Sequence, residues 1–338
     1  MKRLVLLSTV FAGFSLLTNA QGEINGGPVN VPQADVIDGV YMTEHIPTKR
    51  MIPYEFVREA DVVWSHRVWR MIDMREKMNH PIYLPFDYHT PSGQYVRNTS
   101  RWSLWTIMRH HIINGDLKVF SPYNPYQFDM LDGDQFKYPI VPEAGKNYYT
   151  DSLFRDKVFY YLGKLGPQSD VPLTNEFGDP IEITLPDGTI TFKYPPADTN
   201  WIDSEQIVQY RLKEDWFFDK ERSVLDVRIL GIAPVVYREE VSPTGGKTIT
   251  GMDEKFWLYF PHCRYILANY FVYNDKNDAQ WQSFDDLFWQ RRFTSTIYRE
   301  SNVFDREIDS YKTGVDALME SEKITEEIRN FEHDVWNF

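Results

Sequence analysis

The stretch that most constrains this chain runs from Tyr54 to Met78, YEFVREADVVWSHRVWRMIDMREKM. Pro53 precedes it, where a missing N–H costs a helix nothing, and Asn79-His80-Pro81 closes it. At 100° per residue, Val57, Ala60, Val68, Met71 and Met78 fall within about 40° of Trp64, so the period predicts a helix with one core stripe. The opposite face holds Arg58, Glu59, His66, Arg70, Asp73, Glu76 and Lys77, yet Val62 and Trp69 stand among these charges, nearly in register. Either a second layer of the same chain covers that apolar spot or a partner does. In the second case Val62 and Trp69 are the anchors and Arg58, Arg70 and Asp73 the charged rim. These five residues are the candidate partner interface.

The aromatic content sets the scale of this question. Ten tryptophans and an aromatic fraction of 16% exceed what a modest core requires. Burying one Trp removes ~150–250 Å² from water, roughly 4–6 kcal/mol as an upper bound. Most of the ten must therefore be core, with the excess available for interfaces or sugar platforms.

Lys2-Arg3, the apolar run Leu4–Leu17 and Thr18-Asn19-Ala20 read as a secretory signal, residues 1–20, cleaved after Ala20. Its run is short for a bilayer span, and no cysteine stands at the cleavage point to carry a lipid. The expectation is an exported, soluble protein. Cys263 is the single cysteine, so an internal disulfide is excluded; it reads as a small buried apolar residue or, as the minor alternative, an intermolecular bridge. The formal net charge of −13 grows two units more negative when Lys2 and Arg3 leave with the signal. Nucleic-acid binding and adhesion to anionic lipid are disfavoured, and attachment to the envelope requires a protein partner.

Residues 21–52 form an extended, Gly- and Pro-containing leader, with a short strand expected at Val36–Tyr41. A helix is expected from Ser100 to Ile113, stopped by Asn114-Gly115, with Leu117–Phe120 strand-like after it. Ile181–Thr184 and Thr189–Lys193 flank Pro186-Asp187-Gly188 as a hairpin. Asp203–Phe218 reads as a helix burying Ile207, Tyr210, Leu212 and Trp216. Val224–Glu239 reads as a strand broken at Gly231 to Pro234, with Phe256–Phe260 its antiparallel partner. Pro261 opens a short helix, Tyr270–Tyr273 returns as a strand, and Ser283 caps a helix with Asp285 and Asp286 in its first turn. The tail, 300–338, is an acidic helical segment with stripes at Tyr311, Val315, Leu318 and at Ile324, Ile328, Phe331, Val335. The fold class is α+β, helices packed with short antiparallel strands and hairpins. Residues 53–299 form its globular region, in one body or in two lobes divided near 165–200.

No motif for chemistry emerges. HExxH, GxSxG, CxxC and P-loop patterns are absent, and the adjacent His110 and His111 would point about 100° apart on a helix. The expectation is no catalytic residue, no metal and no cofactor.

Five blocks carry a family resemblance: READVVWSHRVWRMIDMREKMNHPIYLP (58–85), WFFDKERS with VRILGIAP (216–234), LYFPHCRYILANYFVYNDKNDA (258–279), SFDDLFWQRRFTSTIYRESNVFDR (283–306) and GVDALMESEKITEEIRNFEHDVWNF (314–338). Together they resemble the gliding-motility GldN family, called PorN in non-gliding relatives. The resemblance implies a non-enzymatic periplasmic component of the Bacteroidetes type IX secretion system. It also implies self-association in a ring with the outer-membrane lipoprotein GldK/PorK, and a link to the motor proteins GldL/PorL and GldM/PorM. An alternative from another class is a secreted carbohydrate- or peptidoglycan-binding module using exposed Trp and Tyr. A third is a periplasmic hydrolase whose carboxylates or histidines converge only in the fold.

Overall fold

The computed structural model describes residues 50–335 apart from 91–93, 166–170, 176–178, 185–189, 195–198, 242–246, 278–279 and 281. The signal, the expected Val36–Tyr41 strand and the leader up to residue 49 lie outside the described residues.

The Tyr54–Met78 stretch is a strand, not a helix. After a turn at Glu59–Asp61, β1 runs from Val62 to Asp73. Val62, Val63, Val68 and Ile72 are β-branched and Trp64 and Trp69 aromatic, side chains that lose freedom in a helix and pack well on a pleated surface. A strand also resolves the anomaly of the helical reading. Side chains alternate, so even-numbered residues line one face and odd-numbered residues the other. From Val68 onward both faces of β1 are covered. A strand covered on both sides carries apolar residues on both sides, which a helical wheel displays as a core stripe plus a misplaced apolar spot.

The remaining strands of the sheet are β2 (Val119–Phe120), β3 (Pro139–Ile140), β4 (Ile207–Asp219), β5 (Val224–Val241), β6 (Lys247–Glu254), β7 (Trp257–Tyr259) and β8 (Thr296–Glu300). Their spatial order is β8-β1-β4-β5-β7-β2-β3, with β6 pairing the far end of β5. Every pairing is antiparallel. The expected helix at Asp203–Phe218 is corrected likewise: one turn at Ser204–Gln206 leads into β4. Ile207, Tyr210 and Leu212 are buried as expected, but through strand alternation with a bulge between Ile207 and Gln209. Nor does β5 break at Gly231. A Cβ there would lie 2.7 Å from the Phe136 ring, so glycine admits a neighbour while the strand continues. Pro234 is tolerated because its unpaired nitrogen faces the gap between β7 and β6, where its carbonyl accepts from Lys255 N at 3.0 Å.

Six helices complete the described fold: α1 (His80–Tyr83), α2 (Leu104–Asn114), α3 (Ser152–Leu162), α4 (Phe260–Leu267), α5 (Phe284–Trp289) and α6 (Val315–Val335). Local signals place them well. Ser103 caps α2 by accepting from Thr106 N, and Gly115 ends it at φ +85°. Ser283 and Asp286 form a reciprocal capping box at α5. The hairpin strands Glu182–Thr184 and Ile190–Phe192 pair as expected; Phe271–Val272 falls within the strand expected at Tyr270–Tyr273, and its partner is Gln282–Ser283. The architecture is the α+β class expected from the sequence, with two of its three longest strands, β1 and β4, standing where helices were expected.

The even-numbered face of β1 and β4 carries the main core. Ile72, Tyr210 and Leu212 join Ile232 and Leu258, the α2 residues Trp105 and Met108, and Phe260 and Phe288. Toward the β8 edge, α6 lays Ile324 and Ile328 over Val68, Ile297 and Ile308. The Phe331 ring stacks on Trp64 at 4.3 Å. Cys263 is buried and free, its Sγ 3.4 Å from the Tyr259 carbonyl, and burial pushes its thiol up to about 12.

Candidate interaction surfaces

Strand alternation decides where the five candidate residues go. Trp69 and Arg70 are adjacent and so occupy opposite faces of β1, while a register shift between Val62 and Trp64 interrupts the alternation before Val62. Arg58 precedes the strand and pairs with Asp61 at 2.6 Å on the surface. Asp73, at the far end, binds Arg75. Arg70 lies buried on the even face, and Val62 is half-buried at the other end of the strand. The structure therefore distributes the five along the strand and over both its faces.

Trp69 is buried on the odd face by a second layer of the same chain. Its Nε1 donates to Asp134 Oδ2 at 3.1 Å, and Trp257, Ala233 and Tyr298 pack around it. The Lys213 ammonium lies 5.7 Å from its ring and the Arg299 guanidinium 4.1 Å. Lys213 also donates to the Asp134 carbonyl at 2.6 Å. Two further ion pairs extend this face as a charged ladder, Arg67 with Asp215 and Arg211 with Glu254. Register explains the ladder: Arg67 faces Asp215, Trp69 faces Lys213 and Met71 faces Arg211 across the β1–β4 pair.

Arg70 belongs to a different constellation. Glu214, fully buried, accepts from Arg291 Nη1 at 2.9 Å and Nη2 at 3.1 Å, and from Trp216 Nε1 at 3.2 Å. Arg70 Nε lies 3.2 Å from the same carboxylate without a well-aligned hydrogen bond, and both guanidinium groups lean on the Trp216 ring. Burial pulls the Arg70 pKa down against the opposing pull of Glu214.

The rings of the histidine pair meet edge to face at 5.2 Å, yet each takes different partners. His111 Nδ1 lies 2.7 Å from Asp116 Oδ2, and its Nε2 lies 2.8 Å from the Tyr270 hydroxyl. His110 contacts Asn114 and the edge of Trp102. Burial first, then the charges of His111 and Arg97, push His110 down to about 4. Its folded value thus lies below the unfolded one of about 6.5, so the neutral imidazole is favoured in the fold. Stability should hold above about pH 6.5 and decline as pH falls toward 4. Urea midpoints measured across that window should lose part of this slope in His110→Gln. Among the described residues, no group of three or more His, Cys, Asp and Glu is placed to hold a metal ion.

The surface missed by sequence reasoning is carried by residues 303–319. Val303 is 98% exposed and Phe304 71%, while Val315, Leu318 and Met319 are more than half exposed. Arg306 is sandwiched between the Phe304 and Tyr311 rings at 4.8 and 4.3 Å, which ties the loop to the end of the Ile308–Ser310 turn. The expected Tyr311, Val315, Leu318 stripe is therefore not a core stripe: Tyr311 is half-buried and the other two face solvent. The adjacent pair Val303-Phe304, isolated between polar residues, was the signal available in the sequence. Two clefts accompany this surface elsewhere, one of about 500 Å³ lined by Met74, His80, Tyr83 and Tyr237, and one of about 300 Å³ lined by Tyr123, Phe159, Tyr160 and Asp253.

The family model described as "Gliding motility associated protein GldN" matches residues 57–337, a span that contains the whole sheet and all six helices. The chain belongs to the GldN family. Membership makes it a component of the gliding-motility and type IX secretion machinery, in a family of structural components that is not a known enzyme family. No curated protein matches the chain. No helix among the described residues is long and apolar enough to cross a membrane.

Proposed function

We propose that this GldN-family protein is a non-enzymatic structural component that works in the periplasm. In this reading it is exported by a signal cleaved after Ala20 and assembles as a ring with the outer-membrane lipoprotein GldK/PorK. The ring then connects to the motor proteins GldL/PorL and GldM/PorM. The family match over residues 57–337 carries this reading. Two physical features support it. A strongly acidic chain with no spanning helix among its described residues is suited to being held at a membrane by a protein partner. A ring needs heterologous contacts, and the exposed apolar side chains of residues 303–319 offer anchors of the kind such contacts bury.

Purification of the native complex from envelope fractions tests partner, compartment and stoichiometry together. The protein is expected to co-elute with the lipoprotein in a particle far larger than its own 40.0 kDa. A chain that stays monomeric when coexpressed with the lipoprotein overturns the reading. Within the complex, Phe304→Ala should weaken assembly while changing the unfolding free energy, measured in urea, by no more than about 0.5 kcal/mol, the ordinary range for an exposed position.

A further inference from the structure

Residues 50–58 reach β1 as an extended segment outside any helix or strand. Tyr54 stacks on Trp289 with ring centroids 5.6 Å apart. The Arg264 guanidinium lies 4.3 Å from the Tyr54 ring and 4.8 Å from Trp289, held by two hydrogen bonds to the buried Asp285 carboxylate. Arg228 approaches the Tyr54 ring at 5.3 Å and donates to the Glu55 carbonyl, and Arg222 pairs with the Glu55 carboxylate. Under Tyr54 lies a cavity of about 100 Å³ bordered by Asp226, Ile229 and Phe288. Arg264 Nη1 is buried beside it with no hydrogen-bond partner. These groups make a clamp with a defined chemical preference: an aromatic ring between two guanidinium groups and an indole, followed by a carboxylate for a third arginine.

The segment in the clamp is held by side chains. Among the described residues, no backbone–backbone hydrogen bond joins residues 50–57 to the sheet, and Ile52 and Phe56 are exposed. The chain is first anchored by its backbone near Asp61, whose carbonyl accepts from Lys220 N. The intervening residues can span about 20 Å when extended. Release therefore breaks few interactions, and the clamp offers the same ones whether the segment comes from its own chain or from another.

We propose that the clamp of Arg222, Arg228, Arg264 and Trp289 is a docking site for a Tyr–Glu segment, and that on assembly it receives Tyr54-Glu55 of a second copy of this chain. Exchange of an identical element is a low-cost route to association, because the ring stacking and ion pairs given up within a chain are remade between chains. Donation in one direction, from each copy to the next, is a heterologous contact and can close into a ring. The inference rests on the assembly reading above and adds the residues that would join one copy to the next.

Phe56 and Glu221 flank the clamp, since Glu55 meets Arg222 and Arg58 lies 3.7 Å from Glu221. Differently tagged Phe56→Cys and Glu221→Cys chains, mixed and assembled with the lipoprotein, are treated with a short bismaleimide. Adducts joining the two tags are expected in the assembled fraction, reduced about tenfold when the Phe56→Cys chain also carries Tyr54→Ala. A synthetic peptide of residues 50–58 in excess should compete for the same adduct. Assembled particles that give no mixed adduct, while a chain carrying both cysteines links within itself, overturn the exchange and leave the assembly reading standing. Failure to assemble at all overturns both.

Discussion

Glu214→Gln is expected to destabilise the fold by about 3–5 kcal/mol, the cost of leaving buried charge without its partner. Glutamine keeps the volume and one acceptor oxygen, so the change isolates charge from packing. The carboxylate is fully buried and stands against two arginines, Arg70 and Arg291, with Trp216 Nε1 as a third donor. Neutralising it leaves two like charges facing one another around the Trp216 ring. Arg70 is the more exposed to this loss in energetic terms, because burial already disfavours its charged form and Glu214 is the main force opposing that. Arg291, a quarter exposed, can turn toward water. Urea denaturation followed by tryptophan fluorescence measures the effect, and thermal melting should show a fall of about 4–7 °C in Tm for a chain of this size. A loss below about 1 kcal/mol would mean that water enters the site and screens the arginines, as at surface pairs.

That constellation shows where a sequence stops being legible. Arg291 and Glu214 are 77 positions apart, and no local pattern links them. Signals confined to a few neighbouring residues were readable: the Ser283 cap, the Gly115 stop, the hairpin strands on either side of Pro186-Asp187-Gly188, and the apolar pair Ile324 and Ile328 on α6. Their geometry is decided by backbone hydrogen bonding and side-chain period within a turn or two. Asp285 was only half legible. It sits in the first turn of α5 as the cap pattern requires, but its carboxylate serves Arg264 on α4. β1 was misread because both its faces are covered from Val68 onward, which puts apolar side chains on each and leaves a pattern compatible with a helical stripe. β4 keeps its alternation in Gln209-Tyr210-Arg211-Leu212-Lys213, and the burial of its cations against Asp134 and Glu254 depends on pairings far away in sequence. The family resemblance was legible without any of this, since it rests on residue identity in five blocks.

Trp69→Ala tests the reassignment that follows from reading β1 as a strand. On the helical reading, Trp69 could anchor a partner, and its loss would weaken assembly while leaving thermal stability nearly unchanged. The structure places it at 4% exposure under residues 132–138 and beside β8, with its indole N–H spent on Asp134. Removing a buried indole costs about 3–5 kcal/mol through lost transfer energy and the cavity left behind. Here the ring also supports two cations. Lys213 and Arg299 both pack against it, and without the indole Asp134 is deprived of one of the donors that hold its carboxylate beside Lys213. The cost should therefore fall toward the upper end of that range. Trp69→Phe separates these contributions: it keeps most of the packing and an aromatic face for Lys213 and Arg299, and should cost about 1–3 kcal/mol for the unsatisfied Asp134 oxygen. Monomer unfolding and complex assembly measured side by side give the decision. A steep loss of stability in Trp69→Ala, partly restored in Trp69→Phe, assigns the residue to the core. Unchanged unfolding with weakened assembly would return it to a partner surface and would require the segment over it to move away in the complex.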